Sequence, residues 1–196
     1  MRDQLNPALR NIVAFEYVTG WRIATEVLPL RWHQVDFAAG EVRIDDPHST
    51  KNEEARVFPL TDDLRRVLTA QRQLTQALGS EYVFCHVAGH RAGRRISYQG
   101  FYKAWRRAGR AAGMTRVPHD FRRTAIRNLE RDGVPRPVAM AMVGQKTEEV
   151  YRRYAIVDAA MIREAAAKMN RGAKVRRTGA QRGAQSRAEA ADLKNR

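Results

Sequence analysis

The sequence lacks the usual features of a secreted or membrane protein. Its one cysteine, Cys85, cannot form a disulfide within the chain. No run of about 18 apolar residues is present, and residues 1–7 contain no hydrophobic signal core. We therefore expect a soluble, cytoplasmic protein.

Acidic residues are scarce relative to basic ones. The 196 residues include 36 Lys and Arg against 21 Asp and Glu, which gives a formal net charge of +15. From Asn170 onward, eight basic and two acidic residues contribute +6, so residues 1–169 retain the remaining +9. This excess indicates a polyanionic partner such as a nucleic acid. The alternative is a solvated basic surface without such a role.

A chain of this length can bury a hydrophobic core, and we predict one domain over residues 1–169. Residues 170–196 are mostly Arg, Lys, Gly, Ala and Gln. They have almost no large apolar side chains to offset the entropy lost on ordering, so we predict a basic, disordered tail.

Apolar spacing and capping residues predict a mainly α-helical α+β fold with a small antiparallel sheet. The predicted helices lie at 7–19, around 26–30, and at 62–78, 98–112, 119–131, 134–143, 148–154 and 159–169. Val42 and Ile44 alternate with polar residues in a hairpin over 35–45, and Arg56 begins a further strand. Residues 46–55 are then the tip joining two strands.

The segment from Tyr82 to Cys85 is typical of a short buried strand. His86 and His90 follow it, but no fourth ligand is evident, so the pattern does not favour a metal site. We predict that Cys85 packs in the core.

The helical C-terminal half contains residues suited to phosphodiester cleavage. His119 and Arg122 are one helical turn apart and can face one phosphate. Arginine binds phosphate through two parallel N–H groups, and histidine can donate or accept a proton. Tyr154 follows as a candidate nucleophile. The His-x-x-Arg pattern alone also arises from ordinary charge pairing on helix surfaces.

Four blocks of sequence carry a more specific signal when taken in order. They are Thr19-Gly20-Trp21-Arg22 followed by Glu26 to Asp36; Thr50-Lys51-Asn52 ahead of Arg56 to Leu60; His119 to Thr124; and Val143-Gly144-Gln145-Lys146-Thr147 leading to Arg153-Tyr154. With these blocks the chain resembles the catalytic domain of the tyrosine recombinases, or phage-type integrases, over residues 7–169.

The resemblance implies a role for each matching residue. Arg22 and Arg122 would clamp the scissile phosphate, and Lys51 would protonate the leaving 5′-oxygen. His119 would assist proton transfer. Tyr154 would form a 3′-phosphotyrosyl link that a different 5′-hydroxyl can reseal. The resemblance implies neither a metal nor a nucleotide cofactor.

Two positions depart from the family pattern. Gln145 stands where the family usually has His, sometimes Trp; Gln can donate a hydrogen bond but cannot shuttle a proton, so we expect slower chemistry. Arg22 precedes Glu26 by four residues, where the family commonly has three. One residue rotates a helical position by about 100°. Either Arg22 lies before the regular helix, or the turn absorbs the insertion.

Tyr151 and Tyr154 are one turn apart, and an aromatic pair on a short helix is more often core packing than chemistry, so position in the motif alone selects Tyr154 over Tyr151. Four neighbouring cations are predicted to contact the DNA backbone or solvent. They are Arg123, Lys146, Arg152 and Arg153.

The last predicted helix carries an apolar stripe. Ile162, Ala165, Ala166 and Met169 lie on one face, which could dock on the chain's own domain or on a neighbour. In the family a helix after the tyrosine packs on the next protomer. The resemblance therefore implies a tetramer on DNA that assembles through residues 158–169.

Family members usually have an N-terminal helical domain that clamps the other face of the DNA. The catalytic domain here starts almost at Met1, so we expect a fragment or a truncated member. Half a clamp should bind DNA weakly and with strong salt dependence.

The resemblance thus implies an enzyme, associated with the nucleoid, that cuts and rejoins double-stranded DNA in the site-specific recombination or integration of a phage or mobile element. A type IB topoisomerase is one alternative because it uses similar chemistry, although the integrase-like spacing argues against it. The other alternative is a DNA-binding module without activity, disabled by Gln145 or by truncation.

Overall fold

A computed structural model describes residues 4–45, 55–113, 118–153, 162–163 and 166–170. The chain divides into two units, Met1–Ala155 and Ile156–Arg196. In the second unit, residues 162–163 and 166–170 are helical. The division predicted from composition, between residues 169 and 170, stays a prediction.

The first unit is mainly helical with one small antiparallel sheet, which confirms the predicted fold class. Its helices are α1 (Pro7–Thr19), α2 (Asp62–Thr75), α3 (Tyr98–Ala111), α4 (Asp120–Arg131), α5 (Arg136–Val143) and α6 (Glu148–Arg152), and its strands are β1 (Val35–Asp36), β2 (Glu41–Ile44) and β3 (Arg56–Pro59). Within the described ranges, no helix combines the length and the apolar character needed to cross a bilayer.

Local capping explains where these helices begin and end. The side chains of Thr61, Ser97 and Thr147 each accept a hydrogen bond from a backbone N–H in the first turn of α2, α3 and α6. Gly20 and Gly144 end α1 and α5 in the left-handed conformation, with φ of 63° and 68°. The predicted starts and stops at these residues are confirmed.

The sheet has the strand order β1-β2-β3, with both pairs antiparallel. Val42 pairs with Val35 on one side and with Phe58 on the other, and all three side chains are buried. The predicted hairpin and third strand are therefore confirmed. Residues 46–54 of the predicted tip lie outside the described residues.

Aromatic rings form the centre of the main core. Trp21 contacts Phe15 and Phe58 edge to face, with ring centroids 5.8 and 6.4 Å apart, and Phe15 contacts Phe84 in the same way. Each such buried side chain contributes roughly 1.5–3 kcal/mol relative to exposure. The indole Nε1 of Trp21 donates to the carbonyl oxygen of Met142 at 2.9 Å, which fixes the end of α5 to this core.

A smaller buried cluster joins the last three helices. It consists of Ile126, Leu129, Ala139, Val143 and Tyr151. Tyr151 is the one buried residue of the five-residue helix α6, and it packs with residues of α4 and α5.

The predicted strand from Tyr82 to Cys85 is wrong. This segment makes only isolated bridges, with Tyr82 opposite Arg31 and Cys85 opposite Arg95. Each partner lies next to a turn, so pairing does not extend beyond one residue. Cys85 is nevertheless fully buried, which confirms core packing for this thiol.

Candidate active site

Arg22 stands at the start of a turn that is wider than an α-helix. The N–H of Val27 donates to the carbonyl of Arg22 at 3.0 Å, and the N–H of Leu28 donates to that of Ile23 at 2.9 Å. This five-residue spacing defines a π turn over Ile23–Val27, and Arg22 precedes it with extended backbone. The first predicted alternative is confirmed, because Arg22 lies before the helical turn, and the wide turn is compatible with the second.

Glu26 holds Arg22 from inside the core. Its fully buried carboxylate accepts from Nη1 of Arg22 through Oε1 at 2.8 Å. The other oxygen, Oε2, accepts from the backbone N–H of Arg22 at 2.7 Å. The Arg22 side chain remains 23% exposed. The guanidinium of Arg22 is therefore held in place by Glu26 and still reaches the protein surface.

Arg56 is a second cation on the same carboxylate, and sequence reasoning treated it only as a strand residue. Its Nη1 lies 3.1 Å from Oε2 of Glu26, and its side chain is 4% exposed. The guanidinium carbon lies 5.9 Å from the centre of the Trp21 ring. The alternation of β3 was the available signal, because it places Arg56 on the same buried face as Phe58.

Arg122 is buried where the carboxyl ends of two helices meet. Its Nη1 donates to the carbonyl oxygen of Gly20 at 2.7 Å, and its Nη2 donates to that of Gly144 at 3.2 Å. The two glycines are the left-handed ends of α1 and α5. Arg122 therefore ties the segment before Arg22 to the segment before Gln145.

Gln145 contacts the same guanidinium. In the amide orientation that satisfies its hydrogen bonds, Oε1 of Gln145 accepts from Nε and Nη2 of Arg122, both at 3.0 Å. The side chain is half-buried. With the oxygen turned toward Arg122, the amide nitrogen is the group left to donate to an incoming anion.

His119 lies at the surface immediately before α4. Partial dehydration of its ring lowers the pKa of His119 most, and the positive charges of Arg122 and Arg22 lower it further. The three side chains therefore share one neighbourhood. A lowered pKa favours the neutral imidazole near neutral pH, which can accept a proton.

Of the two tyrosines in the last motif, the structure describes Tyr151 but not Tyr154. Tyr151 is fully buried, and this burial, followed by the nearby Glu130 carboxylate, raises the pKa of Tyr151 above its ordinary value. A buried phenol that resists ionisation fits a packing role. Tyr154 lies outside the described residues, as does Lys51, so their predicted roles stay predictions.

The four predicted DNA-contacting cations are all exposed. Arg152 and Arg153 form ion pairs with Glu148 and Glu149 at 3.1 and 3.2 Å. Such surface pairs are weak enough for a phosphate to replace. Arg123 lines a groove of about 1010 Å³ between α1, α2 and α4. Among the described residues, no group of three or more His, Cys, Asp or Glu side chains is placed to hold a metal ion.

Solved structures with this fold include several DNA recombinases. The XerA recombinase superposes with a TM-score of 0.66 at 18% identity, over 84% of this chain and 57% of that one. A lambda integrase dimer bound to a COC′ core site gives 0.61 at 18%, over 76% and 52%. The XerH recombinase bound to difH before cleavage gives 0.59 at 19%, over 84% and 49%. The chain spans about half the length of these recombinases.

Sequence comparison gives the family directly. No curated protein sequence matches the chain. The model of the phage integrase family matches residues 2–161, which include every candidate site residue. Because this match covers most of the chain, the protein belongs to the phage integrase family.

Proposed function

We propose that this protein cuts and rejoins double-stranded DNA in site-specific recombination or integration, through a 3′-phosphotyrosyl intermediate on Tyr154. The observation that best supports this is that Arg122 donates to the carbonyl oxygen of Gly20, two residues before the partly exposed Arg22, and also to Gln145. Family membership supports the same reaction.

The proposed reaction takes place at one scissile phosphate. The phenolic oxygen of Tyr154 attacks phosphorus while its proton passes to the neutral ring of His119. The bond from phosphorus to the 5′-oxygen breaks, and Lys51 gives a proton to that oxygen. Rejoining follows when a different 5′-hydroxyl attacks the phosphotyrosine and releases Tyr154.

The arginines supply positive charge where negative charge develops. An ordinary tyrosine has a pKa of about 10, so attack near neutral pH needs cations that stabilise the phenolate and the pentavalent transition state. Arg22 is partly exposed and can contact the phosphate directly. Arg122 acts from its buried position beside Gln145. The amide nitrogen of Gln145 then donates a hydrogen bond to the phosphate. Loss of one such group typically costs ~10²-fold or more in rate.

The proposed partners are double-stranded DNA and further copies of the chain. The net charge of +15 favours a polyanion. Ile162 and Met169 of the last helix are exposed apolar side chains, as a docking face requires. The lambda integrase, one of the proteins with a similar fold, forms a tetramer on a Holliday junction. We propose assembly through residues 158–169.

A covalent-trapping experiment tests this function without knowledge of the target site. The protein is incubated with a pool of nicked duplexes randomised around the nick, and adducts that survive denaturant are isolated and sequenced. We expect adducts from the wild type and from Tyr151→Phe, because the buried Tyr151 hydroxyl takes no part. We expect none from Tyr154→Phe.

The outcomes separate the alternatives. Equal adduct from the wild type and Tyr154→Phe contradicts the proposed nucleophile. DNA binding without any adduct supports a binding module instead, and relaxation of supercoiled plasmid without joining to a second duplex supports a topoisomerase. Ile162→Asp should keep the adduct but lose the joined product, since only joining requires assembly.

A further inference from the structure

Arg56 is a buried cation that the proposed chemistry does not use. We propose that Arg56 is a positioning residue that keeps the positive charge of Arg22 available to the scissile phosphate. This inference rests on the proposed function.

The first argument is charge balance around Glu26. The carboxylate of Glu26 lies between Arg22, at 2.8 Å, and Arg56, at 3.1 Å, and is shielded from water. Arg22 and Arg56 share this one carboxylate, and these three side chains together carry a charge of +1. Because Arg56 is the more deeply buried cation, this excess charge reaches solvent through Arg22. Without Arg56, Arg22 alone would balance Glu26, and its attraction for phosphate would fall.

The second argument is geometric. Oε2 of Glu26 accepts from the backbone N–H of Arg22 and forms an ion pair with Nη1 of Arg56 at 3.1 Å. Arg56 therefore holds one carboxylate oxygen in place, so that the other can accept from the Arg22 guanidinium. This arrangement limits the rotamers of both groups before DNA arrives.

Arg56 also packs against the segment that holds Arg122. Its Nη1 donates to the carbonyl oxygen of Val143 at 3.3 Å. A Cβ atom on Gly144 would overlap the Arg56 guanidinium, so the two groups are in close contact. The carbonyl oxygen of Gly144 in turn accepts from Nη2 of Arg122. Arg56 is therefore linked to each arginine of the proposed clamp through one intervening residue. Glu26 lies between Arg56 and Arg22, and Gly144 lies between Arg56 and Arg122.

A variant in which both Arg56 and Glu26 are neutral distinguishes two roles of Arg56: keeping the charge of Arg22 available to the phosphate, or only stabilising the fold. Arg56→Met removes one positive charge and leaves Arg22 and Glu26 with a net charge of zero. Adding Glu26→Gln restores the net charge to +1 while keeping an oxygen that accepts from Arg22. A purely structural role predicts that the double variant is at least as impaired as the single one.

The measurements are single-turnover cleavage of a trapped nicked duplex at saturating protein, the half-saturating protein concentration, and the thermal midpoint. We expect Arg56→Met to slow cleavage by about 10- to 100-fold and to change half-saturation by less than about threefold. Arg56→Lys should recover part of the rate because it keeps the charge. The double variant should recover most of it. Arg31→Met, at a surface arginine paired with Glu81, is the control and should cleave normally.

The proposal is overturned if Arg56→Met cleaves at the wild-type rate, or if the double variant is slower than the single one. If Arg56→Met does not fold, the cleavage rates of Arg56→Lys and of the double variant are compared with that of the wild type instead. Wild-type rates in both variants would also overturn the proposal. A wild type that forms no adduct refutes the proposed function itself, which is distinct from the failure of Arg56 alone.

Discussion

Glu16 is an acid on α1 that lies almost completely inside the protein, near Arg122. Its Oε2 makes no hydrogen bond within the described part of the chain. Burial raises the pKa of Glu16 well above its ordinary value, and the charge of Arg122 offsets part of this rise. The folded state therefore holds a proton on Glu16 at pH values where the unfolded chain has released it. The associated stability is present below the unfolded pKa and is lost as pH rises through the folded pKa.

Glu16→Gln should therefore stabilise the protein increasingly as pH rises above the unfolded pKa of the carboxyl, because the native state then has to keep a proton that the unfolded chain releases. We expect a thermal midpoint close to that of the wild type at pH 5. At pH 8 we expect the free energy of unfolding to rise by about 1 kcal/mol or more, because each unit by which burial raises the pKa of Glu16 costs the wild type about 1.4 kcal/mol at high pH. Thermal denaturation at both pH values is the measurement, with Glu149→Gln at an exposed glutamate as the control. An equal gain at both pH values would rule out the buried proton.

Among the helices and strands, local sequence signals predicted much more than long-range ones. Thr61, Ser97 and Gly144 act on their own helix ends, so residues within one turn suffice to place those ends. The contact of Arg56 with Glu26 joins side chains 30 positions apart, and no local pattern encodes it. The π turn was equally hidden, because its hydrogen bonds differ from those of an α-helix by a single residue.

Two left-handed glycines at helix ends test the contact between α5 and β3. A Cβ on Gly79 meets no atom within 4 Å, whereas one on Gly144 overlaps Arg56. Gly79→Ala should cost about 1 kcal/mol of unfolding free energy, from the backbone conformation alone. Gly144→Ala should cost roughly 1–3 kcal/mol more and should also slow cleavage, because Arg56 must move. Equal losses in chemical denaturation would show that the contact contributes nothing.

At the scale of the whole molecule, positive charge extends over both units. Residues 170–196 contribute +6 of the total of +15. The first unit combines its own basic residues with ion pairs such as those of Arg152 and Arg153, which offset part of the charge. Binding to DNA of arbitrary sequence should therefore depend on both units and weaken steeply with salt.

Arg176→Gln with Arg177→Gln should weaken binding to a random duplex and reduce its salt dependence. Each lost phosphate contact lowers the slope of log K against log salt by about 0.9, so the double variant should lose about 1–2 units. Fluorescence anisotropy over a series of NaCl concentrations measures the slope, with Arg31→Gln as the control. An unchanged slope would mean that this part of the chain does not contact DNA.

The two carbonyl groups that bind Arg122 belong to the carboxyl ends of α1 and α5. The aligned peptide dipoles of a helix place roughly half a negative charge at that end. Together the two ends offset much of the cost of burying a guanidinium, and they do so without adding a formal negative charge that would repel a phosphate. Because peptide dipoles do not titrate, this part of the balance is independent of pH. Arg122 can therefore be buried and still remain a cation, as its proposed role beside a DNA phosphate requires.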